Sequence, residues 1–261
     1  MYNLQEFFGI LDGFAPLSLS HRMIERGDYD NSGIIVKSTD KVHKVLFTLD
    51  LTLCSINKAK ELDCDTIVTH HPAIYTPIKT LGLTSQTLAV CEAIKSNINV
   101  ISMHLNLDIA NDGIDENFAK ALGGENASVL QVIDGQLGYG REFKVKECEI
   151  DRLVEKLKDK LGTKNIVFYG DKTVKKMASF CGGGSTTANQ MVQNGNISAD
   201  TIITSDMPHH IILSLIESDK NVILVPHYVA EEIGFNKFYK AICEKVKDNI
   251  TLYYFDDKRF R

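Results

Sequence analysis

The 261-residue chain has no tryptophan, five prolines and no pair of cysteines at C-x-x-C spacing. Its six cysteines, Cys54, Cys64, Cys91, Cys148, Cys181 and Cys243, are scattered along the chain. That pattern excludes a disulfide framework and a thiolate-rich zinc site, and predicts reduced, buried, inert thiols. Any metal here would be held by histidine and carboxylate. There is no excess of positive charge either: 29 basic residues face 34 acidic ones, for a formal net charge of −5. Such a balance gives no footprint for nucleic acid or an anionic membrane. No apolar run approaches the roughly 20 residues of a membrane span. The start, Met1-Tyr2-Asn3-Leu4-Gln5-Glu6, lacks the basic and apolar segments of a signal peptide, so a cytoplasmic location is expected. What is present is ordinary for a globular protein: 44% apolar and 24% charged residues, in a chain long enough for one large domain or two modest ones.

One stretch stands out. Thr66-Ile67-Val68-Thr69-His70-His71-Pro72 is a β-branched apolar run that stops at two histidines and a proline. Strand side chains alternate between faces, so adjacent histidines converge only where the strand ends and the backbone turns. Pro72 marks such an end, since it fixes φ and cannot donate to a ladder. Imidazoles at the C-terminal end of a buried strand sit where open α/β sheets hold ligands. The plain alternative is one histidine capping the strand and the other in solvent.

The neighbouring segments repeat the pattern. Leu4 to Phe14 has helical apolar spacing and ends at Ala15-Pro16. Asp28 to Gly33 is turn chemistry whose carboxylates are open to a functional role, though local grounds favour a solvated turn feeding a strand at Ile34–Val36. Val45 to Asp50 predicts a buried strand, Ile56 to Leu62 a helix, and Thr66 to Thr69 the next strand, which together suggest a right-handed βαβ unit. Ser85 to Ser96 predicts a helix and Asn99 to Met103 a third strand. These three strands end in Asp50, in His70-His71, and in His104-Leu105-Asn106-Leu107-Asp108. A helix follows the Asn111-Asp112-Gly113 turn and runs to about Leu122.

Beyond Gly123-Gly124 the chain predicts short strands at Val129–Ile133, Glu142–Val145, Asn165–Tyr169 and Lys176–Cys181. A charged amphipathic helix, Asp151–Leu161, lies among them, with Gly162 as its C′ residue. Cys181-Gly182-Gly183-Gly184-Ser185 joins a strand to a helix beginning near Thr187. It reads as a tight turn, and if it faced a metal site its N–H groups, Gly183 among them, would suit a phosphate. Asp200 to Thr204 is a strand leading into Ser205-Asp206-Met207-Pro208-His209-His210. His209 and His210 open a helix, which ranks them as pocket groups, not ligands. Asn221 to Val225 is a strand ending in Pro226-His227-Tyr228-Val229-Ala230-Glu231, where His227 and Glu231 share one helix face. A long helix to about Asp248 and a final strand, Thr251–Phe255, complete the chain. The predicted fold class is α/β, with two linked α/β domains of mixed and parallel sheets. Residues 1–124 and 220–261 form a discontinuous metal-site domain and residues 125–219 a second domain, with the metal site at strand C-terminal ends between them.

His70, His71, Asp108, His227 and Glu231 supply three imidazoles and two carboxylates, too many for one tetrahedral zinc ion. They suit two divalent ions about 3.5–4 Å apart with a bridging carboxylate, drawn from Zn, Mn, Fe, Co and Ni. Seven segments in order then resemble the NIF-three-like family, also named the GTP cyclohydrolase 1 type 2 family: Asp30-Asn31-Ser32-Gly33, Leu49-Asp50-Leu51-Thr52, Thr69-His70-His71-Pro72, His104 to Asp108, Cys181 to Ser185, Thr204 to His210, and His227-Tyr228 with Glu231. The resemblance implies that those five residues hold two metals. It also implies a ring-shaped homo-oligomer, commonly a hexamer, and hydrolytic opening of the purine imidazole ring of GTP or hydrolysis of a related nucleotide. In that setting His104 and Asp50 are the candidates to relay protons or orient ligands, and His209, His210 and Gly183 to contact substrate. The family's "interacting factor" name implies the alternative, a non-enzymatic metal-binding, metal-insertion or scaffold protein. This chain departs from the family pattern at Ser205 and Pro226, where glycine is usual, and at Ala230, where threonine is usual.

Overall fold

The computed structural model describes residues 2–261 apart from 83, 85 and 86, with Asp248 described by its backbone alone. In chain order the elements are β1 (Tyr2–Asn3), α1 (Leu4–Asp12), α2 (Leu17–Glu25), β2 (Gly33–Val36), β3 (Lys41–Val42), β4 (Lys44–Thr48), α3 (Leu53–Glu61), β5 (Thr66–Thr69), α4 (Leu88–Lys95), β6 (Asn99–Ser102) and α5 (Leu105–Ile109). There follow α6 (Ile114–Leu122), β7 (Ser128–Asp134), β8 (Leu137–Cys148), α7 (Ile150–Leu161), β9 (Val167–Tyr169), β10 (Val174–Ser179), α8 (Ser185–Gln193), β11 (Thr201–Thr204), α9 (His209–Glu217), β12 (Asn221–Leu224), α10 (His227–Val246) and β13 (Thr251–Tyr254). The chain divides into two compact units, Met1–Ala110 with Phe235–Asp257 and Asn111–Gly234 with Lys258–Arg261.

The first unit is built on a five-stranded sheet in the order β13-β4-β5-β6-β2. Its first four strands are parallel, and β2 closes one edge antiparallel to β6. Parallel strands are covered on both faces, and they read as unbroken apolar runs for that reason. Register lines up Leu46, Ile67 and Val100 across one face, where Ile56 and Ala59 of α3 and Val90 and Ala93 of α4 pack on them. Phe47, Val68 and Ile101 form the opposite row. There the Phe47 ring lies 6.2 Å from Phe235 and Phe238 and 5.3 Å from Tyr239. Local signals set the helix starts. Asn3 and Glu6 form a reciprocal capping box on α1, and Thr52 with Ser55 does the same for α3. The expected helix start at Ser85 lies outside the described residues. The final strand, β13, is an edge strand.

The second unit has a six-stranded sheet in the order β7-β8-β10-β11-β12-β9. Strands β10, β11 and β12 are parallel and the other pairs antiparallel. Ala178, Phe180, Ala188, Ile202, Leu215 and Val222 belong to its core. Gly162 ends α7 at φ +65°, the left-handed C′ geometry expected of it. The expected second domain, 125–219, falls inside this unit, but the unit reaches further in both directions. Strand β12 is hydrogen-bonded between β11 and β9, and α6 packs on β8 and β10, so both belong to this sheet. The thiols also differ from expectation: only Cys64 and Cys181 are buried, Cys54 is exposed, and the other three are half-buried.

Glu142 of β8 joins three chain segments of this unit. Its carboxylate accepts from Lys176 Nζ of β10 at 2.6 Å and from the Ser198 and Ala199 amides, both at 2.7 Å, just ahead of β11. Burial alone would raise this carboxyl; the hydrogen bond from Lys176, those from the two amides, and the lysine charge outweigh it and leave the pKa lowered from 4.5. A lowered acid stabilises the fold above its unfolded pKa, and the contribution is lost as pH falls through the folded value. Glu142→Gln is therefore expected to lower unfolding free energy by about 2 kcal/mol at neutral pH. In urea melts, the gap between wild type and variant should close as pH drops below 4.5.

Candidate metal centre

The C-terminal ends of β4, β5 and β6 lie side by side because these strands are parallel neighbours. After Thr69 the backbone turns, and the amides of His70 and His71 both donate to the Leu49 carbonyl, at 3.1 and 3.0 Å. Two consecutive residues bonded to one oxygen cannot continue the alternation of a strand. The two rings come to the same region, with centroids 4.9 Å apart. Thr69 Oγ1 fixes the turn by donating to the His71 carbonyl at 2.8 Å.

Each ring is held at Nδ1. His70 Nδ1–H donates to the Met103 carbonyl at 2.8 Å, His71 Nδ1 pairs with Asp50 Oδ1 at 2.8 Å, and His104 Nδ1 pairs with Asp30 Oδ1 at 2.7 Å. An Nδ1–H bonded to oxygen leaves the lone pair on Nε2, the arrangement in which metal-binding histidines are oriented. His70 Nε2 stands 3.5 Å from Asp108 Oδ1. His70, His104 and Asp108 each offer a ligand atom, all within 4.8 Å of one another. Asp108 is placed by α5, whose first turn hangs on the His104 carbonyl.

Asp30 is the residue that sequence reading undervalued. The Asp28–Gly33 segment looks like a solvated turn, yet the Asp30 side chain is fully buried. Burial would raise its carboxyl, but hydrogen bonds from His104, Ser20 and Ser32 and the His104 charge hold it down at about 2. Ser20 comes from α2 and Ser32 from the same loop as Asp30. The sequence leaves the carboxylates of this loop open to a functional role, and the Asp-Asn-Ser-Gly match to the family pattern points to the same loop.

In the second unit, His227 and Glu231 share the first turns of α10, with Nε2 and Oε1 2.9 Å apart. His227 Nδ1 is again held by an oxygen, Asp206 Oδ2 at 2.5 Å. The glycine turn backs this pair. Gly182 sits at φ +56°, and a Cβ there would fall 2.3 Å from Glu231 Oε1 and 3.2 Å from His227 Nε2. No L-side chain suits that backbone or that space. The turn is itself anchored: the Cys181 amide donates to Asp115 Oδ1 at 3.2 Å, and Arg141 Nη1 donates to Asp115 Oδ2 at 2.9 Å, with both charged side chains buried. Burial pushes the Asp115 carboxyl up to about 6 against the pull of Arg141 and the Cys181 amide.

The remaining sequence candidates are placed as follows. Asp50 bonds His71 and so orients a candidate ligand. His209 and His210 are exposed on the first turn of α9, and the residue of that segment that reaches His227 is Asp206. Gly183 is exposed with open space around it; its neighbour Gly182 makes the close approach. The departures at 205 and 226 fit the backbone, but the Ser205 hydroxyl is buried without a hydrogen-bond partner among the described residues. Ser205 lies outside the left-handed region, where glycine would be needed. Pro226 precedes α10, and its carbonyl accepts from Val229 and Ala230 at 3.0 and 3.1 Å.

Known proteins resemble this chain in sequence and in fold. The protein named GTP cyclohydrolase 1 type 2 homolog from Clostridium perfringens is 29% identical over 256 residues, covering 95% of this chain and 92% of that protein. A crystal structure of a Bacillus cereus protein related to NIF3 has the same fold, with TM-score 0.85 over 97% of this chain and 96% of its own at 19% identity. A Staphylococcus aureus hypothetical protein matches with TM-score 0.84 over 99% and 98% at 24% identity. The family model described as Duf34/NIF3 (NGG1p interacting factor 3) matches residues 2–258, and the chain belongs to that family.

Proposed function

We propose that the protein is a dinuclear metal-dependent hydrolase of GTP cyclohydrolase type, opening the purine ring of GTP or hydrolysing a related nucleotide. The observation that carries this reading is the common clamp on the histidines: His70, His71, His104 and His227 each give Nδ1 to an oxygen. Such a set fits divalent ions of the Zn, Mn, Fe, Co and Ni class. His70, His71, Asp108, His227 and Glu231 would hold two of them. When bound, such ions polarise the electrophile and acidify a water. The family resemblance extends the reading to a ring-shaped homohexamer, and we place the protein in the cytoplasm. Among the described residues no helix is long and apolar enough to cross a membrane.

The chain's own groups have separable tasks. Asp50, the Met103 carbonyl and Asp206 fix the tautomers of His71, His70 and His227. His104 takes or gives a proton at Nε2, while Asp30, kept ionised by its hydrogen bonds, steadies the imidazolium that forms. His209, His210 and the Gly183 amide are assigned to the substrate's phosphates.

Elemental analysis of freshly purified protein should find two equivalents of divalent metal per chain, with loss on Asp108→Ala. Protein that resists loading with all five metals would remove the site. Asp50→Asn should weaken metal binding by about 10- to 100-fold and leave the melting temperature of the metal-free protein unchanged. Metal-loaded protein should release formate from GTP, or hydrolyse another nucleotide, at a rate that collapses in His71→Ala and Glu231→Ala. Tight metal binding with no turnover of any nucleotide would favour the metal-carrier or scaffold reading that the family's "interacting factor" description suggests.

A further inference from the structure

We infer that Tyr29 and Tyr75 form a stacking platform for the heteroaromatic base of a nucleotide, set beside the imidazole cluster of the first unit. The inference rests on the nucleotide part of the proposed function. An isolated exposed tyrosine is unremarkable on a protein surface. Here two of them, from separate loops, meet edge to face with centroids 5.4 Å apart at 66°. Each still keeps about half of its surface open to water, 43% for Tyr29 and 53% for Tyr75. In a T-shaped pair the edge of one ring meets a face of the other, so the ring that offers its edge keeps its own faces for a third ring.

The platform is built on fixed points. Asn31 Nδ2 donates to the Ile74 carbonyl at 2.7 Å, tying together the two loops one residue from one tyrosine and two from the other. On the other side of Asn31, Ser32 Oγ accepts from the His104 amide at 3.0 Å, and Asp30 holds the His104 ring. The tyrosines are therefore referenced to the same residue that carries the proposed proton transfer. The Tyr75 ring lies 6.1 Å from His104 at 82°.

That distance selects which part of a nucleotide lies there. Aromatic rings in contact have centroids about 4.5–7 Å apart, so a ring stacked on Tyr75 on its His104 side would be a near neighbour of His104. The platform thus brings the base, not the phosphate tail, to the reacting histidine. A reaction at the base, as in purine ring opening, is what such an arrangement serves. Stacking is tolerant of base identity, because every base has a π-face, so the platform supplies affinity for the ring and leaves the choice of base to other groups.

The test is calorimetric titration of zinc-loaded protein with guanosine, GTP and inorganic triphosphate. Tyr75→Ala should weaken guanosine and GTP about tenfold or more, while triphosphate binds as to wild type and the melting temperature is unchanged. Tyr75→Phe should retain guanosine binding, since it keeps the ring. Guanosine binding that is indifferent to Tyr75→Ala, or wild-type protein that binds triphosphate but not guanosine, overturns the platform. Tyr75-dependent guanosine binding in a protein that turns over no nucleotide upholds the platform and removes the hydrolase. GTP turnover with a KM unmoved by Tyr75→Ala removes the platform and spares the hydrolase.

Discussion

An imidazole has two nitrogens, and what holds one decides what the other can do. Four histidines of this chain are held alike, at Nδ1, by a main-chain carbonyl or by an aspartate. Much of the first unit can be read as support for those bonds. The Met103 carbonyl is where His70 needs it because β6 runs parallel to β5 in fixed register. Asp50 meets His71 because β4 ends one strand away. Asp30 meets His104 because Ser20 of α2 and Ser32 hold its second oxygen. Register, strand order and one short helix thus become the orientation of three rings.

The strands carrying these groups were legible in the sequence because they are buried on both faces and read as continuous apolar runs. Their polar ends were legible for the same reason: a charge or imidazole directly after such a run has few plain explanations. Helix α2 was not, since it starts at Pro16 with no side-chain cap and mixes serine, histidine and arginine among its apolar residues. Helix α5 has five residues, too few for a period to show. The aspartate partners were hidden differently. Asp30 reaches His104 across 74 residues of sequence and Asp206 reaches His227 across 21, and such bonds leave no periodic trace. Read locally, an aspartate in a turn is a turn residue.

The second unit reaches a comparable end by costlier means. Its glycine turn rests on a buried Asp115–Arg141 pair, with Arg141 also donating to the Gly138 and Gly140 carbonyls at 2.8 and 3.2 Å. Buried ion pairs add little net stability, but removing one partner leaves a charge stranded in the interior. The value of such a pair lies in definition: it pins the turn where Gly182 touches Glu231. A looser hydrophobic contact would hold the turn with less directional control.

The Leu49 carbonyl has a consequence for how this protein can vary. It accepts from both His70 and His71 through main-chain atoms only. Neither bond uses an atom of the Leu49 side chain, which is itself buried in the core. A lineage could exchange much of its core, provided the strand spacing survived, without the two histidines losing their aim. Sequence drift is then absorbed by the packing, and what descends from ancestor to descendant is a geometry written in peptide bonds.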